Sequence, residues 1–170
     1  MSFTPHPDTA LISLNCAVMT VSDTRTPVTD RSGQLLQQLF IESAHQVTAY
    51  TIIQDEPTQI EQQLHWLANR SDVDVIILNG GTGIAPRDTT YDVVERLLEK
   101  SLPGFGEIFR WLSYAEIGSR AIASRAIAGV FLETLIFSLP GSSNAVLLAM
   151  QKLILPEIRH LVRQLRTGDS

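Results

Sequence analysis

Apolar runs and segments with helical periodicity alternate along most of the chain. Nearly continuous apolar runs at Asn15–Val21, Val73–Leu78 and Leu135–Leu139 predict strands that are buried on both faces. A fourth run, Val47–Ile53, alternates more with polar residues and predicts a strand nearer to an edge of the sheet. The pattern therefore predicts an α/β fold with a mostly parallel central sheet that helices cover on both faces.

Apolar side chains recur at intervals of three and four residues after each predicted strand, which predicts a helix in each of these places. Pro57 suits the first turn of the second helix, and Pro156 restarts the helix near the end of the chain. The apolar stripes of these helices are Leu35, Leu36, Leu39 and Phe40, then Ile60, Leu64 and Leu67, then Val93, Val94, Leu97 and Leu98, then Val146, Leu147 and Met150, and last Ile158, Leu161, Val162 and Leu165.

The stretch from Leu102 to Val130 departs from this alternation, and we expect one or two short helices there with a hairpin behind them. Its apolar residues outnumber those that one strand–helix unit needs. Either an extra helix covers them within the monomer, or some of them stay exposed and form an interface between subunits. The residues concerned are Phe105, Phe109, Trp111, Leu112, Tyr114 and Ile117.

The composition is that of a single globular domain, residues 1–170, with flexible tails expected at about 1–13 and 166–170. Charged residues make up 18% of the sequence, against about 25% in typical soluble domains. So few charges suggest that an oligomer hides part of the surface. The net charge of −5 gives no general attraction to nucleic acid or to an anionic membrane.

Three features of the sequence lead us to expect a cytoplasmic protein. Cys16, the single cysteine, lies in an apolar run and is expected to be a buried, inert thiol. The N-terminal sequence lacks the basic flank and long apolar stretch of a signal peptide. No apolar run is long enough to span a bilayer.

Small, polar and acidic residues follow the predicted strands. Because ligands bind outside the carboxyl ends of the strands in open α/β sheets, these loops are expected to share one site. The conformational demands of turns explain each loop by itself, but they explain less well why all of the loops are small, polar or acidic. The loops are Ser22–Arg25, Asp55–Glu56, Gly80–Gly83 and Pro140–Asn144.

The glycine loop Gly80–Gly83 fits neither well-known phosphate pattern. No lysine follows it as in a Walker loop, and Pro86 stands where a dinucleotide fingerprint has its third glycine. Consecutive glycines still let backbone N–H groups turn towards an anion, and a helix N-terminus follows. The capping-box spacing from Thr89 to Asp92 predicts that this helix starts at Thr89. Asp88 is then expected at the mouth of an anion site.

A carboxylate beside an anion site is compatible with binding when Mg²⁺ bridges the two, and Asp88 and Asp55 would suit such a cation. An exposed ion pair or local cap with Arg87 explains Asp88 equally well, and the N-terminal acid of a helix explains Asp55. The four histidines have no metal-ligand spacing. The serines after the last strand lack the Gly-x-Ser-x-Gly pattern of a hydrolase.

Seven motifs, all in the same order, resemble the molybdopterin-binding family. The resemblance extends from about Asn15 to Leu165, and several long motifs in register are far more specific than GGTG alone. The motifs are TVSDTR at 20–25, the segment Asp30–Gly33, QDE at 54–56, NGGTGIAPRDTT at 79–90, PGFGEIFR at 103–110, SRAIAG at 124–129 and SLPGSSNAV at 138–146.

The resemblance implies a three-layer α/β/α fold, assembly into homotrimers or hexamers, and binding of the dithiolene pterin phosphate molybdopterin. Active members of the family use Mg²⁺ and ATP to adenylylate its terminal phosphate and release pyrophosphate, in a pathway with other molybdenum cofactor biosynthesis proteins. Asp55 and Asp88 match the catalytic acids of the family and are the expected Mg²⁺ ligands. The residues that match ligand-binding positions are Ser22, Asp23, Gly80, Gly81, Thr82, Gly83, Arg87, Gly141, Ser142 and Ser143.

Two positions depart from the family pattern. Asn79 stands where Thr or Ser commonly precedes GGTG, and Thr90-Tyr91-Asp92 replaces a common Thr-Pro-Glu or Thr-Pro-Asp. Neither change removes an expected catalytic carboxylate, so adenylyl transfer is the first hypothesis. A non-catalytic molybdopterin-binding or assembly protein of the same pathway is the second, and a plain nucleotide-binding module is the third.

Overall fold

The computed structural model describes residues 12–167, in which strands and helices alternate. The strands are β1 (Asn15–Val21), β2 (Gln46–Ile53), β3 (Val75–Asn79), β4 (Lys100–Ser101), β5 (Ile127–Phe131) and β6 (Thr134–Leu139). The helices are α1 (Arg31–Glu42), α2 (Pro57–Ala68), α3 (Thr90–Leu97), α4 (Pro103–Ile117), α5 (Ser143–Ala149) and α6 (Leu155–Thr167). Apart from residues 12–13 and 166–167, the tails expected at the two ends lie outside the described residues.

The strands form one mixed sheet in the order β2-β1-β3-β6-β5-β4. β1 pairs in parallel with β2 and β3, and β3 pairs in parallel with β6. β5 runs antiparallel to both of its neighbours, β6 and β4. The expected mostly parallel sheet is confirmed, and β2 lies at one edge, as its alternating pattern predicted.

Helices cover both faces of this sheet. In β1, Cys16 and Val18 point to one face and Ala17 and Met19 to the other, because successive side chains of a strand alternate. The first face packs against α1, α4, α5 and α6, and the second packs against α2 and α3. The three-layer α/β/α architecture is therefore confirmed. Cys16 is fully buried, and burial together with the charge of Asp74 raises the pKa of its thiol.

The stretch after β4 contains one long helix instead of the short helices that we expected. α4 has 15 residues, with Pro103 in its first turn and Gly118, at a φ of 62°, as its end. A 3₁₀ segment, Gly118–Ala123, follows α4 and leads to the expected hairpin, in which β5 pairs with β6. The 3₁₀ segment contributes Arg120 and Ala123 to the candidate site described below.

The apolar residues of α4 divide into two groups. Phe109 is buried, and Phe105 and Leu112 are partly buried. Trp111 and Tyr114 are 72% and 64% exposed. The monomer therefore covers only part of this apolar set.

The end of the chain forms one long helical stretch. A π-helical turn, Met150–Ile154, joins α5 to α6, and Pro156 lies in the first turn of α6. Ile158 and Val162 on α6 are buried against the sheet, as the apolar stripe predicted. Within residues 12–167, no helix has both the length and the apolar character needed to cross a membrane.

Candidate functional site

A cleft of about 500 Å³ lies at the carboxyl ends of β1, β3 and β6. These strands are parallel neighbours in the sheet, so the loops that follow them meet at one edge. Three of the loops that the sequence assigned to one site are thereby brought together. The expected site residues that line this cleft are Ser22, Gly80, Gly81, Thr82, Gly83, Asp88 and Gly141.

The glycine loop has a backbone shape that disfavours side chains. Gly80 and Gly81 have φ angles of 99° and 64°, in the left-handed region where most residues are strained. A Cβ atom on Gly81 would also lie 2.3 Å from the carboxylate of Asp55. Among the described residues, none accepts a hydrogen bond from the backbone N–H of Gly81, Thr82 or Gly83. These three donors are available to an anion in the cleft.

Asp55 is a buried carboxylate beside the glycine loop. It is 5% exposed, and its Oδ1 accepts hydrogen bonds from the N–H and the hydroxyl of Thr89 at 3.1 and 2.6 Å. Burial raises the pKa of Asp55 against the effect of the Thr89 hydrogen bonds, and the negative charges of Asp88 and Asp23 raise it further. Three acids are therefore gathered at this edge of the sheet.

Thr89 is the N-cap residue of α3, as its spacing to Asp92 predicted. Its hydroxyl, however, donates to the carboxylate of Asp55 instead of capping the helix. A charged acceptor makes the stronger hydrogen bond, and this bond links the loop after β2 to the start of α3. The preceding residue, Asp88, faces the cleft, and its Oδ2 accepts a hydrogen bond from the N–H of Ala85 at 3.0 Å.

Arg87 pairs with acids from two other loops. Its Nε and Nη2 donate to the carboxylate of Asp23 at 2.9 and 3.1 Å, and its Nη1 donates to Glu56 at 2.5 Å. These partners replace the ion pair with Asp88 that the sequence allowed. The hydrogen bonds from Arg87 lower the pKa of Asp23 and keep that carboxylate ionised. Asp23 also accepts a hydrogen bond from the N–H of Asp55 at 3.1 Å.

A buried polar network supports the loops beside the cleft. The carboxylate of Asp30, which is fully buried, accepts hydrogen bonds from the hydroxyls of Thr20 and Tyr50 at 2.6 and 2.8 Å. Burial by itself would raise the pKa of Asp30, but these and other donors hold it below its usual value. Asn79, the last residue of β3, donates to the hydroxyl of Thr20 at 2.8 Å. Asn79, one of the two departures from the family pattern, thus links β3 to β1 through this hydrogen bond.

Arg25 ties the loop after β1 to the loop after β6. Its Nη2 donates to the carbonyl of Gly141 at 2.8 Å, and its Nη1 donates to the hydroxyl of Ser32 at 2.6 Å. The same guanidinium lies 3.3 Å from the carboxylate of Asp30. Arg25 lines the cleft, as expected for the loop Ser22–Arg25, but its contact with Gly141 was not predicted because the two residues are 116 positions apart.

The 3₁₀ segment forms a wall of the cleft that the sequence did not predict. Arg120, Ala123 and Ser124 line the cleft on this wall. Arg125 joins the wall to the glycine loop by donating to the carbonyl of Gly83 at 3.0 Å. The SRAIAG motif was the signal available for Ser124 and Arg125, and Arg120 was not predicted as a site residue.

The remaining expected ligand-binding residues lie outside the lining of the cleft. Asp23 lines a neighbouring groove of about 520 Å³, which shares Ser22 and Arg25 with the cleft. Ser142 is the N-cap residue of α5 and accepts a hydrogen bond through its hydroxyl, and Ser143 is the first residue of that helix. Both serines directly follow Gly141, which does line the cleft.

A family model described as a probable molybdopterin binding domain matches residues 17–160. The match covers most of the chain and includes the glycine loop and both expected catalytic acids. The chain belongs to the molybdopterin-binding family. The family expected from the motifs is therefore confirmed.

Relatives of this chain agree with that assignment. It is 52% identical over 166 residues to molybdenum cofactor biosynthesis protein B of Halalkalibacterium halodurans. The aligned residues cover 97% of this chain and 98% of the relative. A crystal structure of a molybdenum cofactor biosynthesis protein B has a TM-score of 0.90 at 50% identity, with 92% of this chain and 98% of that chain covered. The tungsten cofactor synthesizing protein of Pyrococcus furiosus has a TM-score of 0.81 at 33% identity, with 91% and 98% covered. A role in molybdenum cofactor biosynthesis follows for this member of the family.

Proposed function

We propose that the cleft transfers an adenylyl group from ATP to the terminal phosphate of molybdopterin, with Mg²⁺ and with release of pyrophosphate. The observation that carries the proposal is the position of Asp55 and Asp88 beside the glycine loop, whose N–H groups at Gly81, Thr82 and Gly83 have no acceptor within residues 12–167. The two acids are close enough for the charge of Asp88 to raise the pKa of Asp55. Carboxylates next to free N–H donors suit a ligand that brings phosphates and a cation together.

Mg²⁺ fits the two carboxylates as part of a shared ligand set. Within residues 12–167, no group of three or more His, Cys, Asp or Glu side chains could hold a metal ion by itself. Oδ2 of Asp55 and Oδ1 of Asp88 have no hydrogen-bond donor among the described residues. Such a pair suits Mg²⁺, which commonly takes one or two carboxylates together with waters and substrate phosphates. When bound, the cation would offset the negative charge of the ATP phosphates.

The residues of the cleft would act by positioning and by charge, without a covalent intermediate on the protein. An oxygen of the pterin phosphate bonds to the α-phosphorus of ATP while the bond from that phosphorus to the pyrophosphate oxygen breaks. The attacking phosphate is already anionic at neutral pH, so the step does not depend on a general base. The N–H groups of Gly81, Thr82 and Gly83 would hold phosphate oxygens at their positions in the transition state.

Non-catalytic binding of molybdopterin is the second candidate. The glycine loop favours it, because N–H groups that have no acceptor among the described residues can bind a pterin phosphate without any transfer step. Incubation with molybdopterin and Mg-ATP distinguishes the two functions. Adenylyl transfer releases one pyrophosphate for each adenylylated pterin, whereas a binding protein forms a stable pterin complex and releases none.

We also propose that the protein assembles as a homotrimer, or as a hexamer made of trimers, in the cytoplasm. Ile108, Trp111, Tyr114 and Ile117 follow one another at intervals of three on α4 and are 48 to 72% exposed. An apolar patch of this kind is typical of an interface. Other proteins of molybdenum cofactor biosynthesis would supply molybdopterin and accept the adenylylated product.

A further inference from the structure

We propose that Arg120, on the 3₁₀ segment, binds a terminal phosphate group of the ligand in the cleft. The inference rests on the proposed function and adds a phosphate-recognising residue to the same site. Three observations support it. Arg120 lies on the wall of the cleft, the other arginines around the cleft already have hydrogen-bond partners, and Arg125 bonds the end of the 3₁₀ segment to the glycine loop.

Arg120 lines the same cleft as the glycine loop, whose N–H groups at Gly81, Thr82 and Gly83 have no acceptor in the described part of the chain. The cleft also holds Asp88, and the carboxylates of Asp55 and Asp23 are close to it. A phosphate ligand in this acidic surrounding is stabilised by positive charge on the protein, in addition to the proposed Mg²⁺ and the backbone dipoles. A guanidinium supplies that charge and can donate two parallel hydrogen bonds to phosphate oxygens.

The other arginines around the cleft are already engaged. Arg25 donates to Ser32, Asp30 and the carbonyl of Gly141, as described above. Arg87 is bound to Asp23 and Glu56, and Arg125 is bound to Gly83 and Asp92. Arg120 is exposed, and no residue in the described range 12–167 forms a hydrogen bond or an ion pair with its guanidinium. Its donors are therefore available to a ligand.

Arg125 holds the 3₁₀ segment in place. It donates to the carbonyl of Gly83 at 3.0 Å and to Asp92 at 2.5 Å, and its guanidinium lies 4.2 Å from the centre of the Tyr91 ring. Ala121, the residue after Arg120, is buried, which also fixes the segment against the fold. The wall that carries Arg120 is thus fixed relative to the N–H donors, and a phosphate could contact both.

The test measures ligand binding separately from turnover. The ligands are molybdopterin, which carries a phosphate monoester, and Mg-ATP, which carries a triphosphate, each titrated calorimetrically into wild type, Arg120→Ala and Arg120→Lys. We expect Arg120→Ala to lower the affinity for at least one of the two ligands by about tenfold or more. Arg120→Lys should restore part of that loss, because it keeps the charge but not the planar pair of donors. The ligand that loses affinity identifies which phosphate Arg120 contacts.

Arg110→Ala is the matched control, because Arg110 on α4 lines a different cavity and its removal changes the net charge equally. It should leave both affinities within about twofold of wild type. The affinity of wild type should also fall more steeply with added salt than that of Arg120→Ala, since a charge contact is lost in the variant. The assignment would be overturned if Arg120→Ala bound both ligands as tightly as wild type, or if the two alanine variants lost affinity equally. A changed sedimentation mass of Arg120→Ala would overturn it as well.

Failure of this inference and failure of the proposed function give different results. If wild type binds both ligands through Arg120 but forms no adenylylated product, Arg120 remains a phosphate-binding residue and adenylyl transfer is rejected. If wild type forms the product and Arg120→Ala binds both ligands as wild type does, the role of Arg120 is rejected and adenylyl transfer stands.

Discussion

The buried carboxylate of Asp55 accepts two hydrogen bonds from Thr89, one from its hydroxyl at 2.6 Å and one from its N–H at 3.1 Å. The two residues are 34 positions apart and belong to the loops after β2 and before α3. Their contact joins the acidic loop to the glycine loop and places Asp55 near Asp88. Thr89 therefore has a positioning role beyond that of a helix N-cap.

Replacement of Thr89 by valine should remove one of the two hydrogen bonds to Asp55. We expect Thr89→Val to lower the free energy of unfolding by about 1 to 3 kcal/mol, because a buried charged acceptor loses a donor. The pKa of Asp55 should rise further in this variant, since the hydroxyl bond now opposes the effect of burial. Urea unfolding at pH 7 measures the stability. Thr89→Ser keeps the hydroxyl and is the control, and a valine variant as stable as wild type would show that the bond is unimportant.

Replacement of Asp88 by asparagine should separate activity from stability. Asp88 is partly exposed at the cleft and outside both apolar cores. We expect Asp88→Asn to lower kcat by about a hundredfold or more and to change the free energy of unfolding by less than about 1 kcal/mol. Steady-state assays and thermal unfolding check the two parts. Glu95→Gln, on the exposed surface of α3, removes an equal charge and should keep wild-type activity.

Retained turnover in Asp88→Asn would show that this carboxylate has no role in the reaction. A large loss of stability in the same variant would show instead that Asp88 maintains the loop structure. The hydrogen bond from the N–H of Ala85 is expected to survive the change, because the asparagine carbonyl can accept it.

His45 should make the protein less stable in moderate acid. It is 4% exposed, and its Nδ1 accepts a hydrogen bond from the N–H of Leu14 at 3.1 Å, so the neutral ring is the form that fits. Burial, with a smaller contribution from the charge of Arg159, lowers the pKa of His45 from 6.5 to about 4. As the pH falls from 6.5 towards 4, the unfolded chain binds a proton that the folded chain does not, so stability is lost in this window.

The size of this loss is on the order of 2 kcal/mol once partial hydration of the site is allowed for. Urea unfolding of wild type and His45→Gln at several pH values between 7 and 4 measures it. The glutamine oxygen can still accept the Leu14 hydrogen bond but does not titrate, so the difference between the two curves isolates His45. Parallel curves for wild type and variant would refute the contribution of this residue.

Trp111 should hold the subunits of the proposed oligomer together. It is 72% exposed in the apolar patch that Ile108, Trp111, Tyr114 and Ile117 form on α4. We expect Trp111→Arg to shift the sedimentation mass at low micromolar concentration from a trimer or hexamer to a monomer, because an interface core excludes an unpaired charge. Trp66→Arg is the matched control, since Trp66 is 55% exposed on α2, on the opposite face of the sheet. A monomeric wild type would show that the apolar patch on α4 is not a subunit interface.

Much of the fold could be predicted because it depends on local periodicity. The apolar run Asn15–Val21 is β1 with the same bounds, and Pro57 begins α2 as expected of a proline in a first helical turn. The length of α4 was underestimated because half of its apolar residues are exposed, which weakens the pattern of a core-facing helix. β4 has two residues, too few for any sequence pattern to indicate.

The candidate site could be predicted only as far as each residue follows a strand. Gly80–Gly83 and Asp88 were found in this way, since the carboxyl ends of parallel strands meet at one edge. The partners of Arg25 and Arg87 depend on contacts between loops that are far apart in the sequence. Arg120 reaches the cleft because the 3₁₀ segment is held by Arg125, and such tertiary placement leaves no periodic signal.

Transfer of label from ATP to molybdopterin tests the central claim most directly. Wild-type protein is mixed with molybdopterin and Mg²⁺ and with ATP that carries a radioactive α-phosphate, and in a parallel reaction with ATP labelled in the γ-phosphate. We expect the α-label to appear on the pterin and the γ-label to appear in pyrophosphate, in equal amounts, and both products to form at least about a hundredfold more slowly with Asp88→Asn. An α-label that stays in ATP while molybdopterin is bound stoichiometrically would contradict adenylyl transfer.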